Sequence, residues 1–261
     1  MITFPKAKVN IGLQVTEKRL DGFHNLETLF FPASICDILE IVEAPVESFK
    51  IYGAKLEGDP NENLCIKACN LLRNDFSIPP LEIHLYKKIP AGAGLGGGSS
   101  DAASTLILLN KLFALNLSSD ILADYALRLG SDCPYFIFSG ELDMNIPQGL
   151  YGIGRGESLV KMDIPALKGC FVKVSVPPVF VSTAFAYSIV TPRKPKISLN
   201  RLLELPLDEW KNSISNDFEE NVFKEFPIIE QYKEQMYNDG AIYASMSGSG
   251  SAVFGIFRQI P

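Results

Sequence analysis

Residues 87–115 read KKIPAGAGLGGGSSDAASTLILLNKLFAL, and five of the seven residues 92–98 are glycine. The run before them, LEIHLY at 81–86, alternates apolar and polar residues as a strand does. Residues 99–101, SSD, are good helix-capping residues, and an apolar helical pattern follows through about residue 115. This order of strand, glycine loop and helix start favours phosphate binding, because bare backbone N–H groups and the helix dipole both attract an anion. The plainer alternative is a tight turn, although so many glycines cost backbone entropy.

Three better-known glycine loops do not fit this stretch. Residues 92–97 match G-x-G-x-x-G, but a dinucleotide-binding fold also needs an acidic residue after a second strand. That residue would lie about 20 positions further on, where residues 118–130 form a helical pattern instead. A Walker A loop requires a lysine before its Ser or Thr, and no lysine precedes Ser99. The hairpin loop of protein kinases is also excluded, because a helix follows the glycines here.

The rest of the chain mixes strands and helices without a repeat. Residues 8–15 alternate as a strand, so Lys8 and Asn10 are expected on the face opposite the apolar one. A turn is predicted at 19–22, and a glycine-rich loop at 149–156 is the best candidate for a lobe boundary. The early hairpin-like runs favour an α+β class over a regular βαβ array. Further strands are predicted at 26–31, 37–43, 49–52, 171–176, 241–246 and 252–257, and helices at 63–74, 118–130 and 182–189.

Composition and charge exclude several classes of partner. Hydrophobic residues make up 47% and charged residues 21% of the 261 residues, which is ordinary for a globular enzyme and unlike a disordered chain. The formal net charge is −6, from 24 basic and 30 acidic residues. This balance argues against nucleic acid or an anionic membrane as the main partner. An anionic small molecule remains compatible with it, because a local pocket can be positive.

The cysteines indicate neither a disulfide framework nor a metal site. There are five, with no C-x-x-C spacing, and the two histidines are His24 and His84. A zinc site is therefore not expected. An odd cysteine count, together with the absence of an apolar leader segment or a membrane-spanning stretch, predicts a cytoplasmic protein.

The stretch PAGAGLGGGSSDAA, residues 90–103, resembles the second signature of the GHMP kinase superfamily, which includes galactokinase, homoserine kinase and mevalonate kinase. The double serine after the glycines is most similar to the branch that acts on 4-diphosphocytidyl-2-C-methyl-D-erythritol. Four other stretches agree in order and extend the resemblance over nearly the whole chain. They are AKVNIGLQV at 7–15, DGFHNLETLF at 21–30, LGSDCPYF at 129–136 and SMSGSGSAVF at 245–254.

The resemblance implies a two-lobed α+β fold with the site in the cleft between the lobes. Residues 1–152 would form an N-terminal lobe like domain 2 of ribosomal protein S5, carrying the ATP loop. Residues 153–261 would form a ferredoxin-like C-terminal lobe. The implied activity is ATP-dependent phosphorylation of the 2-hydroxyl of the methylerythritol unit, in the non-mevalonate isoprenoid pathway. ATP is the implied co-substrate with Mg²⁺ as its counter-ion, and the partner is a small molecule carrying cytidine diphosphate. We expect no bound nucleic acid or membrane, no all-protein metal site, and a monomer or weak homodimer.

The resemblance also implies roles for individual residues. Asp132 would accept the hydroxyl proton, and Lys8 would keep Asp132 ionised and stabilise the charge that develops on the phosphoryl group. The ATP-binding residues would be Asn63, Pro90, Ala91, Gly92, Ala93, Gly94, Leu95, Gly96, Gly97, Gly98, Ser99 and Ser100. For the second substrate, Asn10 would hold the methylerythritol end, Thr183 the cytidine side and His24 the cytosine edge, Phe23 and Tyr187 would sandwich the base, and Gly248 and Ser249 would approach through the backbone.

Six of these residues have a plainer explanation from the sequence alone. Asp132 and Asn63 suit local caps, Lys8 an exposed strand face, and His24 a structural turn. Phe23 and Tyr187 suit core positions. Two other functions also stay open: another GHMP kinase, of the homoserine or mevalonate type, and a nucleotide-binding module without turnover. The segment DGFH favours a cytosine pocket over the first, and the presence of both Lys8 and Asp132 argues against the second.

Overall fold

The computed structural model describes residues 1–54, 59–143 and 145–258. This part of the chain contains eleven strands and nine α-helices. The strands are β1 (Ile2–Thr3), β2 (Lys6–Lys18), β3 (His24–Cys36), β4 (Ile38–Glu43), β5 (Ser48–Gly53), β6 (Leu81–Lys87), β7 (Gln148–Gly154), β8 (Ser158–Asp163), β9 (Cys170–Ser175), β10 (Tyr243–Met246) and β11 (Val253–Arg258). The helices are α1 (Leu64–Arg73), α2 (Gly97–Leu112), α3 (Ser119–Leu129), α4 (Cys133–Phe138), α5 (Thr183–Ile189), α6 (Leu199–Leu202), α7 (Trp210–Ser213), α8 (Glu219–Glu225) and α9 (Pro227–Asn238).

The first of two compact units contains residues 1–7, 35–91 and 96–141. Its sheet has the strand order β1-β4-β6-β5, antiparallel except for the parallel pair of β5 and β6. Alternate residues of β4 and β6 are fully buried, among them Ile41 and Ile83, which face each other across the two strands. Helices α1 to α4 belong to this unit, and α2 packs against both α1 and α4.

The second unit contains residues 8–34, residues 92–95 and the chain from Leu142 onward. It has two sheets, with strand orders β2-β3-β7-β8 and β10-β11-β9. Leu13 and Val15 of β2 pack in one core cluster with Phe218 and Val222 from around α8. The segment before α8 is joined to β2 by a hydrogen bond from Leu13 N to Ser215 O at 3.0 Å. This link holds β2, which carries two of the predicted site residues, at a fixed place in the unit.

Strand β2 is buried on both faces, which corrects one expectation. The alternation correctly put Lys8 and Asn10 on one face, because the Lys8 side chain donates a hydrogen bond to Asn10. That face is not solvated, however, since Lys8 is only 3% and Asn10 only 2% exposed. The explanation of Lys8 as an ordinary surface lysine is therefore wrong.

Two further expectations about local structure are wrong. Residues 149–156 are not a loop: they run along β7 into the turn before β8, and β7 pairs with both β3 and β8. The predicted lobe boundary between 152 and 153 falls inside β7, and that division of the chain remains a prediction. Helix α2 begins at Gly97, not near Ser100, and its N-cap is Gly96, which makes no side-chain capping bond. The SSD triplet at 99–101 therefore lies inside the helix.

Other expectations are confirmed with small shifts at the ends. The turn at 19–22 closes with Arg19 N donating to Phe23 O at 2.8 Å. The helix predicted at 118–130 is α3; of the two serines at its start, Ser118 is the cap, since its hydroxyl accepts from Ile121 N, and Gly130 ends the helix. All five cysteines are free thiols. Within the described residues, every helix is too short or too polar to cross a membrane.

Candidate active site

In the middle of the glycine loop, glycines with positive φ alternate with buried apolar residues. Ala93 and Leu95 are buried, 4% and 1% exposed, and anchor the loop. Between and beside them Gly92, Gly94 and Gly96 have φ of +66°, +76° and +70°. Only glycine adopts this left-handed conformation without strain. Three of the five glycines are thus required by the path of the backbone itself.

The carbonyl oxygen of Gly94 is the point where three separate stretches of sequence meet. It accepts hydrogen bonds from Lys8 Nζ at 3.0 Å and from Ser247 Oγ at 2.8 Å. Lys8 Nζ also donates to Asn10 Oδ1 at 2.6 Å, and the backbone N–H of Asn10 donates to Ser247 Oγ at 3.3 Å. The second unit therefore joins β2, the middle of the glycine loop and the C-terminal glycine turn into one hydrogen-bonded cluster.

The C-terminal glycine turn is packed as closely as the loop. A Cβ on Gly94 would lie 2.0 Å from the carbonyl oxygen of Ser247, and one on Gly248 would lie 3.3 Å from Asn10 Oδ1. At the other side of the turn the hydroxyls of Ser249 and Thr183 lie 3.2 Å apart. Four residues predicted to bind the second substrate, Asn10, Gly248, Ser249 and Thr183, are thus brought to this turn.

The three predicted base-binding residues lie close together in the same unit. His24 stacks on Tyr187 with ring centroids 4.9 Å apart and an interplanar angle of 29°. Phe23 is 50% exposed, and the Arg155 guanidinium lies over its ring at 4.8 Å. A core role for Phe23 is thus excluded. Burial, and after it the charge of Lys18, lowers the pKa of His24, so the ring is neutral at pH 7 and offers both a donor and an acceptor.

The first unit supplies the end of the loop and the start of α2. A Cβ on Gly97 would lie 2.8 Å from Ile89 Cγ2, so glycine is required there by packing. Gly98 differs, because it is exposed and the nearest described atom to a Cβ would be Leu64 Cδ1 at 3.6 Å. It also lies within α2, with an ordinary helical backbone. The fold does not require glycine at position 98.

Asn63 is the N-cap of α1, which confirms its plainer explanation. Its Oδ1 accepts a hydrogen bond from Cys65 N at 2.9 Å. A cap uses only the amide oxygen, and the Nδ2 of an asparagine can still donate. The role of Asn63 in holding adenine therefore remains a prediction, as do the roles of Pro90 and Ala91 at the start of the loop.

Asp132 immediately precedes α4 and makes no side-chain capping bond to it. Cys133, the residue after Asp132, begins α4, and this helix packs against α2. Burial raises the pKa of Cys133 to about 11, so this thiol is a packing residue and not a nucleophile. Asp132 therefore lies at the start of a helix that packs against α2. Lys8 belongs to the other unit, and its pairing with Asp132 remains a prediction.

Comparisons with known proteins identify the family of this chain. Two family models match the chain: the GHMP kinases N terminal domain over residues 63–140 and the GHMP kinases C terminal domain over residues 199–259. A curated protein from Bacteroides thetaiotaomicron, 4-diphosphocytidyl-2-C-methyl-D-erythritol kinase, is 48% identical over 99% of this chain and 92% of its own length. This chain belongs to the GHMP kinase family. A protein of the same name from Cytophaga hutchinsonii is 44% identical over 100% of the chain and 94% of its own length.

Solved structures of other GHMP kinases share the fold. A crystal structure of 4-(cytidine 5′-diphospho)-2C-methyl-D-erythritol kinase has a TM-score of 0.80 and 33% identity, over 98% of this chain and 89% of the other. Methanococcus jannaschii mevalonate kinase has a TM-score of 0.70 at 16% identity, over 99% and 90% of the two chains, and supports the fold alone. The predicted GHMP kinase fold is confirmed. This GHMP kinase is an ATP-dependent kinase of a small molecule.

Sequence reasoning missed residues that hold the site of this GHMP kinase together. Ser247 was not among the predicted site residues, although its hydroxyl bridges β2 and the loop. Asn216 is 2% exposed, and its Nδ2 donates to the carbonyl oxygens of Met246 and Gly248, both at 2.8 Å. Ser247 could have been found from the sequence, because it is the first residue of the SGSGS turn. Asn216 lies some thirty residues before its partners, and no local pattern marks it.

Proposed function

We propose that this GHMP kinase transfers the γ-phosphoryl group of ATP to the 2-hydroxyl of 4-diphosphocytidyl-2-C-methyl-D-erythritol, a step of the non-mevalonate isoprenoid pathway. The phosphoryl-transfer part rests on one observation, the convergence of Lys8, Asn10 and Ser247 around the Gly94 carbonyl of the glycine loop. The choice of substrate is supported by the curated relatives of that name at 40–48% identity over nearly the full chain.

Asp132 would act as the proton acceptor. The 2-hydroxyl oxygen attacks the γ-phosphorus, the bond from that phosphorus to the β–γ bridging oxygen breaks, and ADP leaves. The hydroxyl proton passes to the Asp132 carboxylate, which acts as the general base. The packing of α4 against α2 supports this role, because the N-terminus of α2 is where phosphate would bind.

Lys8 would stabilise the negative charge on the transferred group. Its Nζ is held by two neutral oxygens, Gly94 O and Asn10 Oδ1. These two acceptors help to fix the position of the ammonium group. A fixed positive charge in a buried setting stabilises developing charge with little reorganisation, which is the usual source of catalysis in phosphoryl transfer. Asn10 thus positions Lys8 in addition to its proposed contact with the methylerythritol unit.

The cytidine end would be recognised by the aromatic group near the β2–β3 turn. A neutral His24 can pair with the cytosine edge, because that edge presents both an acceptor and an amino donor. The exposed ring of Phe23 offers a stacking surface for the base. Tyr187 supports His24 by stacking on it, and its direct contact with the base is the part of the proposed sandwich that still needs a test.

ATP would lie along the loop from Pro90 to Ser100, with Asn63 Nδ2 near the adenine. Mg²⁺ would enter bound to the ATP phosphates, which suits an ion that prefers phosphate oxygens, water and few protein carboxylates. In the described part of the chain, no three His, Cys, Asp or Glu side chains group as a metal site. The cytoplasmic location and a monomeric or weakly dimeric state are further parts of this proposal.

The proposal is tested by identifying the product. ATP, Mg²⁺ and 4-diphosphocytidyl-2-C-methyl-D-erythritol are incubated with the protein, and the mixture is followed by ³¹P NMR. We expect ADP and one new phosphomonoester resonance, with coupling that assigns it to the 2-hydroxyl, in equal amounts. ADP formed together with free phosphate, without a new ester, would contradict the proposal. An unchanged ATP signal over the incubation, with nucleotide bound to the protein, would also contradict it.

A further inference from the structure

Three charged side chains form a buried cluster beneath the two ends of the glycine loop. Asp37, Lys87 and Asp101 are 0%, 3% and 2% exposed. Lys87 Nζ donates to Oδ2 of Asp37 and, at 2.7 Å, to Oδ2 of Asp101. Such residues are almost never fully buried, because taking them out of water is costly even when they are paired. Nothing in the proposed chemistry accounts for this cluster, so it calls for a separate explanation.

The cluster fixes the entry of the glycine loop. Asp37 Oδ1 accepts hydrogen bonds from the backbone N–H groups of Lys88 at 2.5 Å and Ile89 at 2.8 Å. These residues connect β6 to Pro90, where the loop begins. The Asp37 carboxylate therefore makes two links. Its Oδ2 binds Lys87 at the end of β6, and its Oδ1 binds the backbone that leads into the loop.

The same cluster fixes the exit of the loop. Asp101 lies near the start of α2, and Gly97, the first residue of that helix, would place a Cβ 3.3 Å from Lys87 Nζ. The neighbouring Ser100 hydroxyl donates to the carbonyl oxygen of Lys6 at 2.7 Å, which adds a second anchor for this turn. The two ends of the loop are thus tied to the single ammonium group of Lys87.

The charge of the cluster can change near neutral pH. Oδ1 of Asp101 is buried and accepts no hydrogen bond from the described residues. Burial raises the pKa of Asp101 to about 7; the charge of Lys87 opposes this rise and that of Asp37 adds to it. Among the described residues, the Cys65 thiol of α1 also faces Asp101, and burial keeps this thiol protonated. The cluster therefore carries about one negative charge above this pH and none below it.

We infer that Asp37, Lys87 and Asp101 are positioning residues for ATP, which hold both ends of the glycine loop so that its N–H groups are already arranged for the phosphates. The inference rests on the proposed use of this loop for ATP and is independent of the identity of the second substrate. Preorganisation of this kind improves binding because less of the loop must be ordered when the ligand arrives.

The main test uses Asp37→Asn, which keeps the size of the side chain but replaces one carboxylate oxygen by an NH₂ group. Whichever oxygen is replaced, the variant loses either the acceptor for Lys87 or the acceptor for the backbone N–H groups. We expect the Kd for Mg-ADP, measured by calorimetry without the second substrate, to rise about tenfold or more. The matched control is Leu72→Ala, at a fully buried residue in the last turn of α1 that makes no contact used in this argument. It should lower the melting temperature and leave the Kd unchanged. An Asp37→Asn protein that melts early but binds Mg-ADP as the wild type does would overturn the inference.

Asp101→Asn provides a second readout if Asp37→Asn fails to fold. This variant keeps an oxygen that can accept from Lys87, whereas Asp101→Ala removes the acceptor and so releases the exit of the loop. We expect the Kd for Mg-ADP to rise about tenfold or more in Asp101→Ala and to rise clearly less in Asp101→Asn. An Asp101→Ala protein that binds Mg-ADP as the wild type does would overturn the inference. Because only nucleotide binding is measured, failure of the wild type to phosphorylate the proposed substrate would contradict the proposed function and leave this test intact.

Discussion

Gly98→Ala is the sharpest mutational test of the proposed phosphate binding by the glycine loop, because the fold does not require glycine at this position. The position is exposed, helical and open, because a Cβ added there would lie 3.6 Å from the nearest described atom. Alanine favours a helix over glycine by roughly 0.5–1 kcal/mol near a helix start. For a chain of this length that gain corresponds to a melting temperature higher by about 1–2 °C.

The same methyl group should weaken ATP binding. If phosphate approaches the bare N–H groups at the start of α2, a Cβ at position 98 obstructs it and removes about one charged hydrogen bond. Such a bond contributes roughly 1.5–3 kcal/mol, which corresponds to a rise of about 10- to 100-fold in the KM for ATP. The assay pairs thermal unfolding with ATP-dependent ADP formation on the same preparation. Gly94→Ala is the comparison variant, because its Cβ would lie 2.0 Å from a carbonyl oxygen and its φ is +76°; it should lose both stability and binding.

A more stable Gly98→Ala protein with an unchanged KM for ATP would refute the reasoning. It would mean that phosphate does not approach this turn and that glycine at position 98 has no function in binding. A less stable protein would refute the structural half, because the helix start would then not be open as described.

Three further predictions concern the chemistry and the cluster. Asp132→Asn should fold and bind both substrates but lose about 10²–10⁴-fold in kcat, and near-normal single-turnover rates would rule out the proton-acceptor role. His24→Ala should weaken a cytidyl substrate more than its uridyl analogue, whereas Phe23→Ala should weaken both about equally; KM values for the two analogues with each variant check this, and an unchanged ratio in His24→Ala would make His24 structural. Because burial raises the pKa of Asp101 from 3.8 to about 7, the folded protein binds a proton that the unfolded chain has released between these values. As the pH rises from about 4 to about 7, the free energy of unfolding of the wild type, measured in urea, should therefore fall relative to that of Asp101→Asn, by at most about 4 kcal/mol. Parallel pH profiles for the two proteins would contradict this prediction.

Local patterns in the sequence were enough to predict most elements of this fold. Period-two alternation marked β2 and β6, and the Ser118 cap and Gly130 stop marked α3. The start of α2 was missed for a physical reason. Capping rules look for a side-chain oxygen, and the N-cap of this helix is Gly96, which has no side chain to offer.

The burial of charged residues was the main thing that local patterns did not show. Alternation assigned Lys8 to a face but did not reveal that the face is covered, because the cover comes from Gly94 and Ser247, far along the chain. Likewise Asp37 precedes its partner Lys87 by fifty residues. The resemblance to a known family supplied the site residues because it compares whole motifs, whereas periodicity sees only neighbours.

At residues 149–156 the local pattern itself led to a wrong prediction. Four glycines favoured a loop, yet the residues form β7 and its turn. Glycine is required there by close packing: a Cβ on Gly149 would lie 2.7 Å from Phe30 O, and one on Gly152 would lie 2.7 Å from Phe30 Cε2. Glycine in a strand can mark close approach of a neighbouring strand and its side chains, and not only a break.

The central claim, that this GHMP kinase phosphorylates a cytidine-bearing methylerythritol, is tested most directly by comparing kcat/KM for three alcohols under one set of conditions. ADP release is measured with saturating Mg-ATP and with 4-diphosphocytidyl-2-C-methyl-D-erythritol, homoserine or mevalonate as acceptor. We predict a kcat/KM for the cytidyl compound at least about 10³-fold above the other two, because only it can use the groups near His24 and Phe23. Equal values, or a preference for homoserine or mevalonate, would contradict the account.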